Sequence, residues 1–220
     1  MNAVVDLKLP NSRVRRHPER GSYDRNSAYP IIDAAQIAHV GFTVDGQPYV
    51  IPMLHVRIDD SIYLHGSVGS RMLKHLIGGH PCCLTFTHVD GLVLARSHFS
   101  HSVNYRSVAV FGRARALSDR PHKGRVLARM VDALIPGRAA DGRPADDQEL
   151  AATSVLEVPI EQLSVKVRSG GPKDLDQDMN LHVWAGVLPQ RVQFGAPLAA
   201  DDLPAGVALP EYLKTPTQAA

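Results

Sequence analysis

The sequence predicts a mainly β protein, an antiparallel β-barrel with a few flanking helices. Short runs rich in β-branched and aromatic residues are separated by the tight-turn pairs Asp45-Gly46, Asp59-Asp60 and Asp90-Gly91. Turns of this kind join antiparallel neighbours, and closing such a sheet removes its exposed edges. No strand–helix–strand alternation and no G-x-G-x-x-G run occurs, which excludes a doubly wound dinucleotide-binding sheet.

The elements follow in order. Residues 1–28 are polar, basic and unpatterned, with Lys8, Arg13, Arg15, Arg16 and Arg20 set against Glu19, and read as an arm. Pro30 opens a short expected helix with Ile31, Ile32, Ala35 and Ile37 on one side. HVGFTV then meets QPYVIPMLHVRI across Asp45-Gly46. Pro52 cannot donate to a ladder, so it marks an edge, a bulge or a place left open for something else. Asp59-Asp60 leads into the strand SIYLHGS. From Ser70 to Ile77 the apolar residues Met72, Leu73, Leu76 and Ile77 keep helical spacing, and Gly78-Gly79 stops the helix.

CCLTFTHV is a strand, Asp90-Gly91 a tight turn and LVLARS the strand after it. SHFSHSVN is a loop. YRSVAVFGRARAL is a long strand with Gly112 as its expected bulge. An amphipathic helix is predicted over Pro121 to Leu134 and a polar loop over Pro136 to Glu149. SVLEVPIEQLSVKVRS reads as a strand pair or one bent strand. The tail carries the only tryptophan, Trp184. One domain is expected over residues 29–190, with a tail over 191–220.

Composition narrows the function. The chain has 220 residues, 44% hydrophobic and 21% charged, the balance of a globular protein. A net charge of +2 gives no electrostatic ground for a nucleic-acid partner. No apolar run approaches the roughly 20 residues that span a bilayer, and MNAVVDLKLP lacks a signal-peptide core, so a cytoplasmic protein away from the membrane is expected. Cys82 and Cys83 are adjacent, which suits neither a disulfide nor a metal pair.

The stretch YLHGSVGSRMLKHL concentrates chemistry where a strand meets a helix N-terminus. Unpaired N–H groups there suit an anion. Gly66 and Gly69 allow close backbone approach, and Ser67 and Ser70 carry hydroxyls. Arg71 can form paired hydrogen bonds with a phosphate, and Lys74 adds a charge on the same helix end. Ser70 is equally a good helix cap, and both bases could face water. Spacing alone leaves a capped helix and a phosphate cradle both open. The histidines His80, His88, His98 and His101 lack the spacing of a metal site. Ser97, His98, Ser100, His101 and Ser102 lack the turn of a serine nucleophile.

Several linked motifs carry a resemblance. HVGFTVDGQPYVIPM, IYLHGSVGSRMLKHL, DGLVLARSHFSHSVNYRSVAVFGRA and VKVRSGGPKD followed by WAGVLP occur in one order over residues 35–190. Together they resemble the pyridoxamine 5′-phosphate oxidase-like, FMN-binding split-barrel family, in the branch of nitroimidazole-resistance flavoproteins. The resemblance implies a six-stranded split barrel and a homodimer with FMN at its interface. It implies an oxidoreductase acting on a small-molecule substrate, with NAD(P)H as a transient electron donor. The ring-lining edge falls on Val50, Ile51, Pro52, Met53 and Leu54. The strand end before the phosphate falls on His65 and Gly66, and His65 becomes the acid–base candidate.

The phosphate triplet of the family falls on Ser70, Arg71 and Met72, so its second base is missing and Lys74 is the replacement at hand. Ser67 joins the same cradle. The later pair falls on Arg106 and Ser107, next to Tyr105, and Trp184 matches the tail tryptophan. The tail arginine of the true oxidase has no matching position, so pyridoxamine phosphate does not carry over as the substrate. A flavin or haem carrier or sensor on the same barrel, and a deazaflavin in place of FMN, are the alternatives.

Overall fold

A computed structural model describes residues 12–214. A 3₁₀ turn at Pro18–Arg20 precedes β1 (Gly21–Ser22) and α1 (Arg25–Ala34). The strands β2 (Ile37–Val44), β3 (Gln47–Ile58) and β4 (Ser61–Ser67) lead into α2 (Arg71–Ile77). Next come β5 (Pro81–Leu94), β6 (Ser102–Arg113), β7 (Arg115–Ala116), α3 (Arg120–Leu134), α4 (Arg138–Asp141) and α5 (Asp147–Ala152). β8 (Thr153–Pro159), β9 (Gln162–Arg168), β10 (Gly186–Pro189) and α6 (Glu211–Lys214) complete the chain.

All pairings are antiparallel and the order is β1-β9-β6-β5-β2-β3-β4-β8-β7, with β10 added on β5. β8 and β9 do not pair with each other. β8 lies on β4 and β9 on β6, so this segment is one bent strand that turns a corner at Ile160 and Glu161. Counted so, six long strands form a ring closed by the chain itself, which is the split barrel. Gly112 makes the corner possible. A Cβ there would stand 2.5 Å from the Pro159 carbonyl oxygen.

The ladders are unequal. β2 and β3 pair from Ile37↔Leu54 to Val44↔Gln47, because Asp45 and Gly46 take the positive φ values (49° and 79°) of a tight hairpin turn. β2 meets β5 only over His39–Gly41, and β3 meets β4 only over His55–Ile58. The barrel interior holds Val40, Phe42, Ile62, Leu64, Leu84, Phe86, Val108, Val110, Leu156 and Leu163, with Ile31 and Ile32 of α1 and Leu73 and Leu76 of α2 closing it. Outside, α3 lays Val126 and Met130 against Tyr63, Val56 and Val155.

Four expectations are corrected. Asp90-Gly91 is not a hairpin turn. β5 runs through it, and the register shift between Val89 and Gly91 makes it a bulge. Gly91 is required because β10 lies against it, with a Cβ only 2.9 Å from the Leu188 carbonyl oxygen. Gly112 stays in register opposite Cys82 and is therefore no bulge. α1 begins at Arg25 rather than at Pro30, since Asp24 caps it by accepting from the Ser27 N–H at 2.8 Å. The polar loop over 136–149 contains α4 and the start of α5, the latter opened by a capping box between Asp146 and Glu149.

Within the segment read as an arm, Gly21 and Ser22 pair with Lys166 and Val165, and Tyr23 receives the Val14 N–H at 2.8 Å. Lys8 lies outside the described residues. The tail docks through Tyr212, which donates to Asp141 and accepts from Arg138. Among the described residues no helix is long and apolar enough to cross a membrane.

Candidate functional site

Beyond the pair His55↔Leu64, β3 parts from β4. The segments Tyr49–Leu54 and His65–Ser67 then border a gap, each hydrogen-bonded only on its far side, to β2 and β8 respectively. Alternation sends Tyr49, Ile51 and Met53 one way and Val50, Pro52 and Leu54 the other. Tyr49 and Met53 pack against the barrel core. Val50 and Pro52 stand out on the sheet's outer face, Val50 at 67% exposure.

The end of the gap is the predicted cradle. Ser70 does cap α2, accepting from the Leu73 N–H at 3.4 Å, and Ser67 accepts from the Gly69 N–H at 3.1 Å. Capping does not exhaust these hydroxyls, because each keeps its own hydrogen to donate. Arg71 is exposed and holds its guanidinium 5.3 Å from the Tyr49 ring centre, where it roofs the gap. Lys74 follows one turn on and is also exposed. Neither base has an ion pair among the described residues. Gly66 is a close approach: a Cβ would meet Leu73 Cδ1 at 3.0 Å.

Met72 is 6% exposed and belongs to the core. The position where the family carries a second base therefore points inward here. Lys74, three residues after Arg71, shares Arg71's side of the helix.

His65 is half-buried beside the cradle. Its Nδ1 is buried and has no hydrogen-bond partner among the described residues, and burial pushes its pKa down. The ring is thus neutral near pH 7, with an idle nitrogen at the site.

The remaining predicted residues fall on β5, β6 and β10's approach. Ser107 shares the outer face with Pro52 through the rungs Pro52↔His39↔Thr85 and Thr87↔Ser107, and donates to the Lys166 carbonyl at 3.3 Å. Arg106 points to the opposite face, where Asp90 holds it through Nε and Nη2 at 3.0 and 2.9 Å. The two neighbours cannot present their side chains to one face. Tyr105 is half-buried opposite Arg168. Trp184 is 66% exposed, its ring edge against Gly186.

Sequence reasoning passed over His39, exposed at the middle of the outer face between Pro52 and Thr85. Its signal was the alternation of HVGFTV, in which it is the polar member facing out. Arg168 was also missed, and Asn104, read from the sequence as pointing toward an interface beside Tyr105 and Arg106, is buried. Their burial depends on the strap after β9, which no local pattern announces. A separate cavity of about 360 Å³ between β3 and α3 is lined by His55, Arg57, Asp33, Arg129 and Asp132 and includes none of the predicted residues.

Comparison with known proteins supports the fold. A search of curated proteins gave no match. The flavocytochrome Anf3 from Azotobacter vinelandii is 37% identical over 94% of this chain and 96% of its own, with a TM-score of 0.88. The FAD and haem binding protein from Mycobacterium smegmatis is 37% identical over 89% of this chain and 96% of its own, with a TM-score of 0.84. A protein from Bacteroides thetaiotaomicron assigned to 5-nitroimidazole antibiotic resistance is 25% identical over 70% of this chain and 95% of its own, with a TM-score of 0.56. The sequence profile described as pyridoxamine 5′-phosphate oxidase matches residues 24–167. With that profile matching residues 24–167, well over half of the chain, the chain belongs to the pyridoxamine 5′-phosphate oxidase family.

Proposed function

We propose that this protein binds a flavin in the gap between β3 and β4 and is an oxidoreductase acting on a small organic molecule. The observation that carries this reading is the gap itself, a strand edge left unpaired beside a helix cap with two bases that have no ion pair among the described residues. The residues fit the group. Gly66 lets Leu73 of α2 pack close against the strand end, Arg71 and Lys74 supply charge, and the free edge of Tyr49–Leu54 offers backbone groups to a ring's polar rim. A bound flavin supplies reversible uptake of two electrons.

The protein's share is to bind, orient and handle protons. Ser67, Ser70, Arg71 and Lys74 hold the phosphate end. Val50, Ile51, Pro52, Met53 and Leu54 flank the ring, with Tyr105, Ser107 and Trp184 contributed across a homodimer and Arg106 bracing the bulge through Asp90. His65, neutral and without a partner at Nδ1 among the described residues, gives or takes the substrate proton there. The homodimer is supported by Val50, Ile37 and Val89, all more than a third exposed on the adjacent strands β3, β2 and β5. A second copy would cover them.

FMN is the expectation from the family resemblance. FAD is the alternative, favoured by the FAD and haem binding protein that matches this chain at 37% identity.

A second reading adds haem to the flavin. It is favoured by both proteins that match this chain at 37% identity along nearly its whole length, one a flavocytochrome and one an FAD and haem binding protein. The visible spectrum of the purified protein tests both readings. Flavin bands bleached by NAD(P)H support the oxidoreductase, and a Soret band in addition supports the two-cofactor form. A colourless protein that takes up neither FAD nor FMN sinks the proposal.

A further inference from the structure

Arg168 ends β9 at 8% exposure, among the most buried charged side chains described. All its recorded acceptors are neutral. Nη1 donates to the Asn104 side-chain oxygen and to the Gly170 carbonyl, and Nη2 donates to the Gly171 carbonyl at 3.3 Å. No carboxylate reaches it among the described residues. Asp90, beside the rung Val89↔Tyr105↔Arg168, and Asp174, six residues further along the chain, are already engaged by Arg106 and by Arg96, the latter at 2.8 Å.

A buried guanidinium without a counter-ion is costly unless another anion completes it. This chain shows how its arginines are otherwise completed. Arg57, Arg106 and Arg115 each turn the edge formed by Nε and Nη2 to a carboxylate, Asp33, Asp90 and Glu157. The same edge of Arg168 keeps its Nε hydrogen and one Nη2 hydrogen unused. The backbone beside it is open, since a Cβ on Gly170 or Gly171 would touch nothing within 4 Å.

We infer that Arg168 is the base of a second anion subsite, which takes a carboxylate or phosphate of a small organic ligand on its Nε/Nη2 edge. Asn104 and the carbonyls of Gly170 and Gly171 fix the guanidinium plane, and the opening over the two glycines admits the ligand. The subsite is distinct from the cradle. Arg168 stands opposite Tyr105, while the cradle end of the sheet is marked by Gly41↔Cys83↔Phe111. Tyr105 and Phe111 are six residues apart, roughly 20 Å along one strand. Arg168 and Arg71 of one chain therefore do not share one phosphate. The inference goes beyond the flavin proposal and holds whether or not the cradle binds flavin.

The test follows the Arg168 Nε–H resonance by NMR, assigned from its loss in Arg168→Met, while inorganic phosphate or succinate is added. The holoprotein and the cofactor-stripped protein are compared. A saturable shift in the holoprotein assigns the subsite to a free substrate-sized anion. A shift that appears only after stripping assigns it to an anionic group of the cofactor. Both outcomes support the inference.

Arg168→Met is expected to weaken the anion at least tenfold. Asn104→Asp keeps the shape and supplies an internal counter-ion, so it should abolish the response in a protein that still folds. A resonance unmoved in both forms overturns the inference. So does an anion response unaffected by Asn104→Asp, or a dimer that dissociates tenfold more readily in Arg168→Met with no anion response in either protein.

Discussion

Arg71 and Met72 sit side by side and meet opposite fates, one over solvent and the other in the core. Arg71→Ala should weaken flavin binding by at least about 1.5 kcal/mol, the low end for a charge-assisted hydrogen bond. Fluorescence titration reads it, and unchanged affinity removes Arg71 from the site. Met72→Lys restores the family's base in sequence only. Its ammonium would enter the core, so the variant should lose on the order of 3 kcal/mol of stability in a denaturant melt and gain no affinity. The proposed cradle rests on local signals, a glycine, a cap and a base at helical spacing, and of these the Ser70 cap is the one the structure displays. The exclusion of a second base was legible, since Met72 falls on the apolar stripe with Leu73 and Leu76. Arg168 was not legible. In VKVR the alternation inverts at its end, leaving Val167 exposed and Arg168 buried, and only the strap at Gly170 and Gly171 explains why.

At the scale of elements, Asp90-Gly91 teaches what a dipeptide can and cannot say. Asp-Gly at 45–46 makes a hairpin because both residues take positive φ. At 90–91 the pair is continued on both sides by strand, and neither residue has positive φ. Asp90 turns to Arg106 and Gly91 gives room to β10. Both jobs depend on elements far away in sequence, so the local pattern reads as a turn. Gly91→Ala should push on the Leu188 carbonyl and cost about 1–3 kcal/mol of local packing. The loss should appear as faster amide exchange over Gly186–Pro189 while the barrel ladders keep theirs. Exchange unchanged along β10 would show that the close contact at Gly91 does not hold that strand.

For the whole molecule, pH dependence should be set on the acid side by His55. It is buried, with Nε2 3.1 Å from the Ile32 carbonyl, its ring tilted against Phe86 and Nδ1 without a partner among the described residues. Burial pushes its pKa below the ordinary 6.5. The unfolded chain therefore binds a proton more readily than the folded one in that range. The stabilisation is full above pH 6.5 and is lost as pH falls toward the folded value. His65, shifted the same way by burial, adds to the slope. Urea midpoints should fall from pH 7 to pH 5, and His55→Leu should flatten the curve; an equal slope in both proteins would exclude His55.

The corner at Ile160 and Glu161 has a mechanical consequence. The barrel's girth is fixed there by covalent bonds, which do not stretch, so any widening must be absorbed where rungs are fewest. Those places are β2 against β5, three rungs over His39–Gly41, and β3 against β4, four rungs over His55–Ile58. They are the two flanks of a single hairpin, itself zipped along its whole length from Ile37↔Leu54 to Val44↔Gln47. The β2–β3 hairpin is thus built as a flap, stiff within itself and lightly stitched at both borders. Its free edge is the one that faces the proposed flavin, so the motion the barrel most readily allows is also the one that would open the proposed site.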